Sequence, residues 1–220
     1  MTKYLRLLRY LVVIAGFSGS AVAGSYEDFF TAVKRDQAPA VQDLLRRGFD
    51  PNTISPDGNH PLYLALREPS LKVADALLAS AQLEVESRNK ADESPLMMAA
   101  LKGHTEFVRR LIARGAHVNK PGWAALHYAA TGGHLATMDL LLEHHAFIDA
   151  QSPNGTTPLM MAAMYGTPQA VKLLLEAGAD VNMRNQLGMT AIDFALKANR
   201  ADAAALIQQQ LRRQQPQGRW

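Results

Sequence analysis

One short phrase recurs five times along this chain at a nearly constant spacing. Its third position carries Leu62, Leu96, Leu126, Leu159 and Ile192, which are separated by 34, 30, 33 and 33 residues. A period near 33 residues is typical of stacked repeat proteins, in which each unit buries its apolar face against its neighbours. The chain is therefore predicted to be a row of similar units rather than a globule around one central core.

Each copy of the phrase has the features of a helix start, and a second helix follows it. Thr157 can cap the free amide groups of a first turn, and Pro158 suits the first helical position because its missing N–H costs no hydrogen bond there. Gly166 and Gly178 follow the two helices, where the chain is expected to turn with a positive φ. Because leucines fill the second helix, as at 173–175, each unit is predicted to be a helix–turn–helix pair.

The unit at residues 156–188 resembles an ankyrin repeat. It combines the Thr-Pro-Leu phrase with paired alanines, a leucine run and a Gly-Ala-Asp loop, and the Gly-His steps at 103–104 and 133–134 match the same family. The resemblance covers residues 25–210 and implies an all-α ankyrin-repeat solenoid of stacked helix–turn–helix units with short hairpin fingers. It also implies that the ring of His127 hydrogen-bonds between repeats.

The register of the repeats divides the chain into a leader, six units and a tail. The terminal units depart from the common phrase, as capping units do, because one face of each meets solvent; Phe29, for example, stands where later units have leucine. We expect a signal peptide at 1–23, an N-terminal capping repeat at 24–57, four ankyrin repeats at 58–92, 93–122, 123–155 and 156–188, a C-terminal capping repeat at 189–213 and a disordered tail at 214–220.

One of the fingers that join successive units is shorter than the others. The step Asn154-Gly155 predicts a tight turn at the tip of a normal finger. Relative to 182–192, three residues are missing between Asn119 and Leu126, so the finger at 120–123 is predicted to be stunted. Two positions remain open for its Trp123 side chain, which could stand exposed to solvent or fold down over the gap.

The first 23 residues have the three-part layout of a secretory signal peptide. Lys3, Arg6 and Arg9 precede an apolar run at 11–17, and 21–23 is a small-x-small cleavage site. An uncleaved anchor is the alternative, disfavoured because the apolar run is shorter than the ~20 residues that span a bilayer. We expect a periplasmic protein without stable membrane insertion after cleavage, and the absence of cysteine from the sequence fits that compartment.

Removal of this leader would leave a chain without net charge. The formal charge of +3 equals the three cations of the leader, so 20 basic residues face 20 acidic ones in the rest of the chain. Nucleic-acid-binding proteins usually carry a basic surface. A nucleic-acid partner is therefore not expected.

Neither the histidines nor the methionines predict an active site. His144 and His145 are adjacent, so on a helix their side chains diverge by about 100° and make a poor chelate. The methionines at 97–98, 160–161 and 164 are expected to fill gaps between repeats, and a copper site is disfavoured because the pairs lie two repeats apart. Ser-His-Asp and phosphate-loop motifs do not occur after residue 23. We expect no enzyme activity, no metal site and no cofactor.

Protein binding is the function that the resemblance implies. Ankyrin stacks bind proteins on the concave face formed by finger tips and the exposed ends of first helices, so candidate positions can be carried over onto this sequence. Leu101, Trp123, Met164 and Tyr165 are large and apolar at positions where solvent exposure is expected. Tryptophan and tyrosine are enriched among interface hot spots. The partner-binding candidates are Asn59, Arg67, Glu93, Leu101, Lys102, Trp123, Thr131, Met164, Tyr165 and Met189.

We therefore expect a non-catalytic interaction module that is a monomer until it binds another protein. One role is that of an accessory or stabilising partner of a periplasmic enzyme, for example in peroxide defence. The alternative is an immunity protein that binds and inhibits a secreted toxic effector enzyme. Small bacterial ankyrin-repeat proteins of both kinds look similar to this chain, and the neighbouring genes would discriminate between the two roles.

Export is the first testable prediction. Because the cleavage site ends at Ala23, mass spectrometry of fractionated cells should find the protein in the periplasm with Gly24 as its first residue. A cytosolic protein that still begins at Met1 would contradict both the compartment and the argument from neutral charge.

Overall fold

The computed structural model describes residues 19–214, which form twelve α-helices and, within that range, no β-strand. This confirms the predicted all-α class. The chain divides into two compact units, the first ending at Leu83 and the second beginning at Glu84. Most of the expected signal peptide and nearly all of the expected tail lie outside the described residues. None of the described helices combines the length and apolar character needed to cross a bilayer.

The first unit contains two helix pairs. They are α1 (Gly19–Lys34), α2 (Ala38–Arg46), α3 (Pro61–Arg67) and α4 (Leu71–Leu78). Helix α1 packs on α2 and α3, and α4 packs on α2 and α3. Phe29 is fully buried, and its ring contacts the rings of Phe30 and Phe49 at centroid distances of 5.4 Å and 4.4 Å. An aromatic cluster therefore fills the place that leucine takes in later units.

The second unit contains four helix pairs in one row. Its helices are α5 (Pro95–Leu101), α6 (Thr105–Ala113), α7 (Ala125–Gly132), α8 (Leu135–Glu143), α9 (Pro158–Tyr165), α10 (Pro168–Glu176), α11 (Ala191–Lys197) and α12 (Ala201–Gln214). Each first helix (α5, α7, α9, α11) packs on its own second helix and on the first helix of the next pair. The second helices (α6, α8, α10, α12) also pack in sequence. Successive pairs thus bury apolar faces against each other, as the repeat period predicts.

The helix starts have the predicted caps, with one addition. The Thr157 hydroxyl accepts the Met160 N–H at 3.4 Å, and Pro158 occupies the first helical position. The Met160 sulfur in turn accepts the Thr157 N–H at 3.4 Å, so a thioether takes the place that a Glu or Gln side chain has in a capping box. Ser94 and Met97 repeat this arrangement at the start of α5, with both distances at 3.3 Å.

The predicted positive φ is present at most helix ends but not at Gly166. Gly178 has a φ of +96°, and Gly103 and Gly133 each have +68°. Gly166 has a φ of −76°, so the prediction of a left-handed residue there is wrong. A Cβ at Gly166 would lie 2.4 Å from the Ala130 carbonyl oxygen, so close packing of two repeats, and not backbone conformation, requires glycine.

The fingers are turns held by a few hydrogen bonds. Ser152 donates its N–H to the Thr156 carbonyl at 3.0 Å, and Gly155, with a φ of +77°, donates to the Ser152 carbonyl at 2.8 Å. This confirms the predicted tight turn. The next finger lies against it, because the Gln186 N–H donates to the Asn154 carbonyl at 2.9 Å.

Stability provides a test of this packing. Leu141 and Leu174 are fully buried at equivalent positions of α8 and α10, whereas Leu187 on a finger is 77% exposed. Replacing either buried leucine by alanine should cost about 2–5 kcal/mol, because the side chain leaves a cavity. Leu187→Ala should change stability by no more than about 0.5 kcal/mol. Urea unfolding of the three variants measures this, and equal losses would contradict the repeat register.

Candidate functional site

An open groove in the second unit has a volume of about 360 Å³ and lies beside Trp123. Fingers form one side of it, and the first helices α9 and α11 form the other. Its lining, which we call the Trp123 groove, consists of Trp123, Asn154, Thr156, Met161, Met164, Tyr165, Asn185, Leu187, Met189, Phe194 and Lys197. Lys197 is the one charged residue in this set, so the groove is predominantly apolar.

Trp123 takes a position between the two that the sequence left open. Its side chain is half-buried, and its ring meets the ring of His127 edge-on at a centroid distance of 5.2 Å. The indole therefore rests on the first helix of its own repeat and still contributes to the wall of the groove. The ring is therefore held in one position by a neighbouring side chain.

His127 fixes the base of this wall by joining two repeats. Its Nδ1 accepts the Ala124 N–H at 3.1 Å, so Nε2 carries the proton and donates it to the Thr156 carbonyl at 3.0 Å. Burial lowers the pKa of His127 below its ordinary value, which keeps the ring neutral and this tautomer in place. The predicted hydrogen bond between repeats is confirmed.

A buried lysine closes the stunted finger. The side chain of Lys120 is only 6% exposed, and its ammonium lies 2.5 Å from Asp92 Oδ2. It also donates to the carbonyl oxygens of Pro121 and Trp123 at 3.0 Å and 3.1 Å. The hydrogen bond from Lys120 lowers the pKa of the Asp92 carboxyl. One ammonium group thus fixes the backbone of Trp123 in a finger that is too short to close like its neighbours.

The turn of the preceding finger contributes the partner of this lysine. Asp92 has a φ of +61° where other fingers have glycine, and it also receives a hydrogen bond from Arg88 at 3.1 Å. Arg88 in turn pairs with Glu86 at 2.8 Å. Lys120 directly follows the Val-Asn step at 118–119, at the point where three residues are missing from the finger. A lysine at that point could have predicted this network from the sequence.

The groove brings together four of the ten predicted partner-binding residues. Trp123, Met164, Tyr165 and Met189 all line it. Only Tyr165, at 57%, is strongly exposed, while the other three are half-buried. Three of these four residues are therefore only partly exposed to solvent.

The remaining candidates of the second unit lie outside the groove lining. Glu93 accepts hydrogen bonds from Tyr128 at 3.0 Å and from Asn89 at 2.9 Å. The Thr131 hydroxyl donates to the His127 carbonyl at 2.7 Å, and the Leu101 carbonyl accepts from His134 at 2.9 Å. Lys102 is exposed at the end of α5. These contacts hold repeats and turns together, and the partner-binding role of these residues stays a prediction.

Two candidates, Arg67 and Asn59, lie in the first unit, and the sequence predicts the exposure of Asn59 wrongly. Arg67 is half-buried and pairs with its neighbour Glu68 at 2.8 Å. Asn59 is only 9% exposed, so the expectation of an exposed finger position is wrong there. Its carbonyl accepts the Ser55 N–H at 2.9 Å, which places Asn59 at the base of the turn and not at its tip.

Three lining residues that the sequence reasoning missed stand one repeat period after other lining residues. Phe194 and Lys197 stand 33 positions after Met161 and Met164, and Leu187 stands 33 after Asn154. Carrying the first-helix position of Met164 over to the last unit would have predicted Lys197. Leu187 and Phe194 were missed because their counterparts one repeat earlier, Asn154 and Met161, were not among the predicted positions either.

Lys120 provides the test of this arrangement. Lys120→Met should destabilise the protein by about 2 kcal/mol, because two backbone carbonyls lose their donor inside the finger. Lys90→Met, at an exposed position of the preceding finger, is the matched control and should stay within about 0.5 kcal/mol of the parent protein. Chemical unfolding measures both, and an equally mild effect at Lys120 would contradict its role in closing the finger.

Comparisons with known proteins agree with this geometry. A family model described as ankyrin repeats (3 copies) matches residues 29–121, 73–152 and 145–214. The chain is 34% identical over 161 residues to the chicken nuclear factor NF-kappa-B p105 subunit and 39% identical over 124 residues to mouse ankyrin repeat and SAM domain-containing protein 6. It is 29% identical over 177 residues to the Xenopus tropicalis neurogenic locus notch homolog protein 1.

These alignments concern one part of much larger proteins. They cover 70%, 52% and 72% of this chain but only 16%, 14% and 7% of the three relatives, in the order given above. What is shared is therefore the repeat region. Since the family model spans nearly the whole described range, the chain belongs to the ankyrin-repeat family, whose repeats are protein–protein interaction modules.

Proposed function

We propose that this protein is a non-catalytic module that binds another protein through the Trp123 groove. The observation that carries the proposal is the lining itself, in which half-buried or exposed apolar side chains from three successive repeats face one open space. Aromatic side chains in such a position are frequent interface hot spots because they offer a large contact area at little entropic cost.

The composition of the groove matches a binding surface better than a catalytic one. Asn154, Thr156 and Asn185 supply its polar groups, and Lys197 is its one titratable side chain besides Tyr165. Across residues 19–214, no three His, Cys, Asp or Glu side chains are placed to hold a metal ion. A site of this kind can bury apolar area and orient a chain, which is what an interaction module requires.

The compartment and the biological role are part of the same proposal. The basic, apolar and small-residue segments within 1–23 support export to the periplasm, and the lack of cysteine suits a protein that folds there without disulfides. In that compartment a neutral repeat protein would serve as an accessory or stabilising partner of an enzyme. Binding would keep the enzyme folded by mass action, since only the native enzyme presents the bound surface.

Tyr165 offers the cleanest test, because it is the exposed aromatic residue of the groove. Tyr165→Ala should weaken capture of the partner by about 2 kcal/mol, which is close to thirtyfold in Kd. Its stability should change little because the ring is 57% exposed. The measurement uses tagged mature protein to capture its partner from a periplasmic extract, followed by titration of the purified pair.

Phe147→Ala is the matched control. Phe147 is 67% exposed on a loop after α8 and is not part of the groove lining. Its truncation should leave the affinity unchanged. If Phe147→Ala weakened capture and Tyr165→Ala did not, the binding surface would lie elsewhere on the second unit. A captured partner whose turnover or half-life is unchanged by the module would contradict the accessory role alone.

A further inference from the structure

Seven of the eight methionines in the described part of the chain fall into two environments. Met97, Met98, Met138 and Met160 are buried. Met161, Met164 and Met189 are half-buried and line the Trp123 groove together. Met161 and Met164 are one turn apart on α9, and Met189 approaches from a finger, so three thioethers border the same open space. Met160 is buried, as a methionine that fills a gap between repeats should be, whereas Met161 and Met164 also border the groove.

Adjacent residues show how sharply the environments differ. The Met160 sulfur is buried and accepts the Thr157 N–H at 3.4 Å, so a lone pair is already engaged in a helix cap. The next side chain, Met161, faces the groove, where solutes can enter. A thioether is oxidised when an oxidant reaches its free lone pair. Met161, Met164 and Met189 are half-buried residues that line this open groove, so an oxidant can reach them, whereas the capping residues Met160 and Met97 are buried.

We propose that Met161, Met164 and Met189 form a site that hydroperoxides oxidise, and that this oxidation controls binding at the Trp123 groove. The peroxide O–O bond breaks and one oxygen atom is transferred to the methionine sulfur. The sulfur loses two electrons and becomes a sulfoxide, and hydrogen peroxide leaves as water. Each transfer replaces an apolar group of the lining with a strongly polar S=O dipole.

The consequence for binding rests on the proposed function of the groove. An apolar side chain of a partner contacts thioethers favourably, but against sulfoxides it would have to displace their bound water. Oxidation of the lining thus releases the partner without unfolding the protein, since none of the three residues is a fully buried core residue. Enzymatic reduction of the sulfoxides returns the apolar lining, so the change is reversible.

Peptide mapping tests the site without any partner. The mature protein is treated with hydrogen peroxide while folded, and mass spectrometry follows each methionine over time. Met161, Met164 and Met189 should be oxidised at least about fivefold faster than Met160 and Met97, whose sulfur atoms are buried and hydrogen-bonded. Equal rates for Met160 and Met161 would overturn the proposed site.

A dye tests the consequence. The probe is 1-anilinonaphthalene-8-sulfonate, whose rings suit the apolar lining and whose sulfonate suits Lys197. Its fluorescence with the folded protein should fall at least about fivefold after peroxide treatment. In a variant with Met161→Leu, Met164→Leu and Met189→Leu, dye fluorescence should be the same before and after peroxide treatment, because leucine has no sulfur to oxidise and has a similar volume. Circular dichroism before and after treatment confirms that both proteins remain helical.

Met183→Leu is the matched control. Met183 is half-buried as well but lies outside the lining, so this variant should lose dye binding on oxidation as the parent protein does. Protection by Met183→Leu, or dye binding that survives oxidation in the parent protein, would overturn the proposed control of the groove. Failure of the dye to bind the untreated protein would overturn it too, because the untreated protein would then have no apolar groove for oxidation to change.

The mapping result is independent of the capture experiment with Tyr165→Ala, so failure of the binding function and failure of the modification site are distinguishable.

Discussion

The second unit depends on how closely its successive first helices approach each other. Paired alanines such as Ala129-Ala130 and Ala162-Ala163 are fully buried where α7 meets α9. Gly166 shows how little room remains, since even one added Cβ would lie 2.4 Å from the Ala130 carbonyl oxygen. This short distance lets the Nε2 atom of His127 reach the Thr156 carbonyl of the next repeat. Larger side chains would push the helices apart and break that hydrogen bond, and with it the wall of the groove.

The stunted finger changes this regular pattern, and the chain compensates for it with charge. A normal finger closes through backbone bonds such as that from Ser152 to Thr156, for which residues 120–123 are too few. Lys120 satisfies two carbonyl groups of the short finger with its ammonium and pairs with Asp92. Burial of a lysine is unfavourable without such partners. The short backbone also brings Trp123 down onto His127, which gives the groove a fixed aromatic wall.

The sequence predicts the parts of the structure that local chemistry decides. Thr157 and Pro158 start a helix by capping and by a fixed φ, and Leu174 is buried because the repeat register places it on the inner face. Contacts between repeats are harder to predict. Gly166 has the same sequence signal as Gly133 but a different φ, since its constraint is the carbonyl of another repeat. The exposure of Asn59 was predicted wrongly because the exposed tip of a finger and its buried base are only two residues apart.

The chemistry of the groove also bears on what it can recognise. Rigid rings from Trp123 and Phe194 combine with the flexible thioethers of Met161, Met164 and Met189, so part of the lining is preformed and part can adapt to a bound side chain. Lys197 supplies the one formal charge. Under the proposed function, affinity should therefore come mainly from buried apolar area, and Lys197 should favour a partner with a carboxylate beside the apolar side chain that enters the groove. The same thioethers that let the surface adapt also make it sensitive to oxidants, because a soft, accessible sulfur atom has both properties.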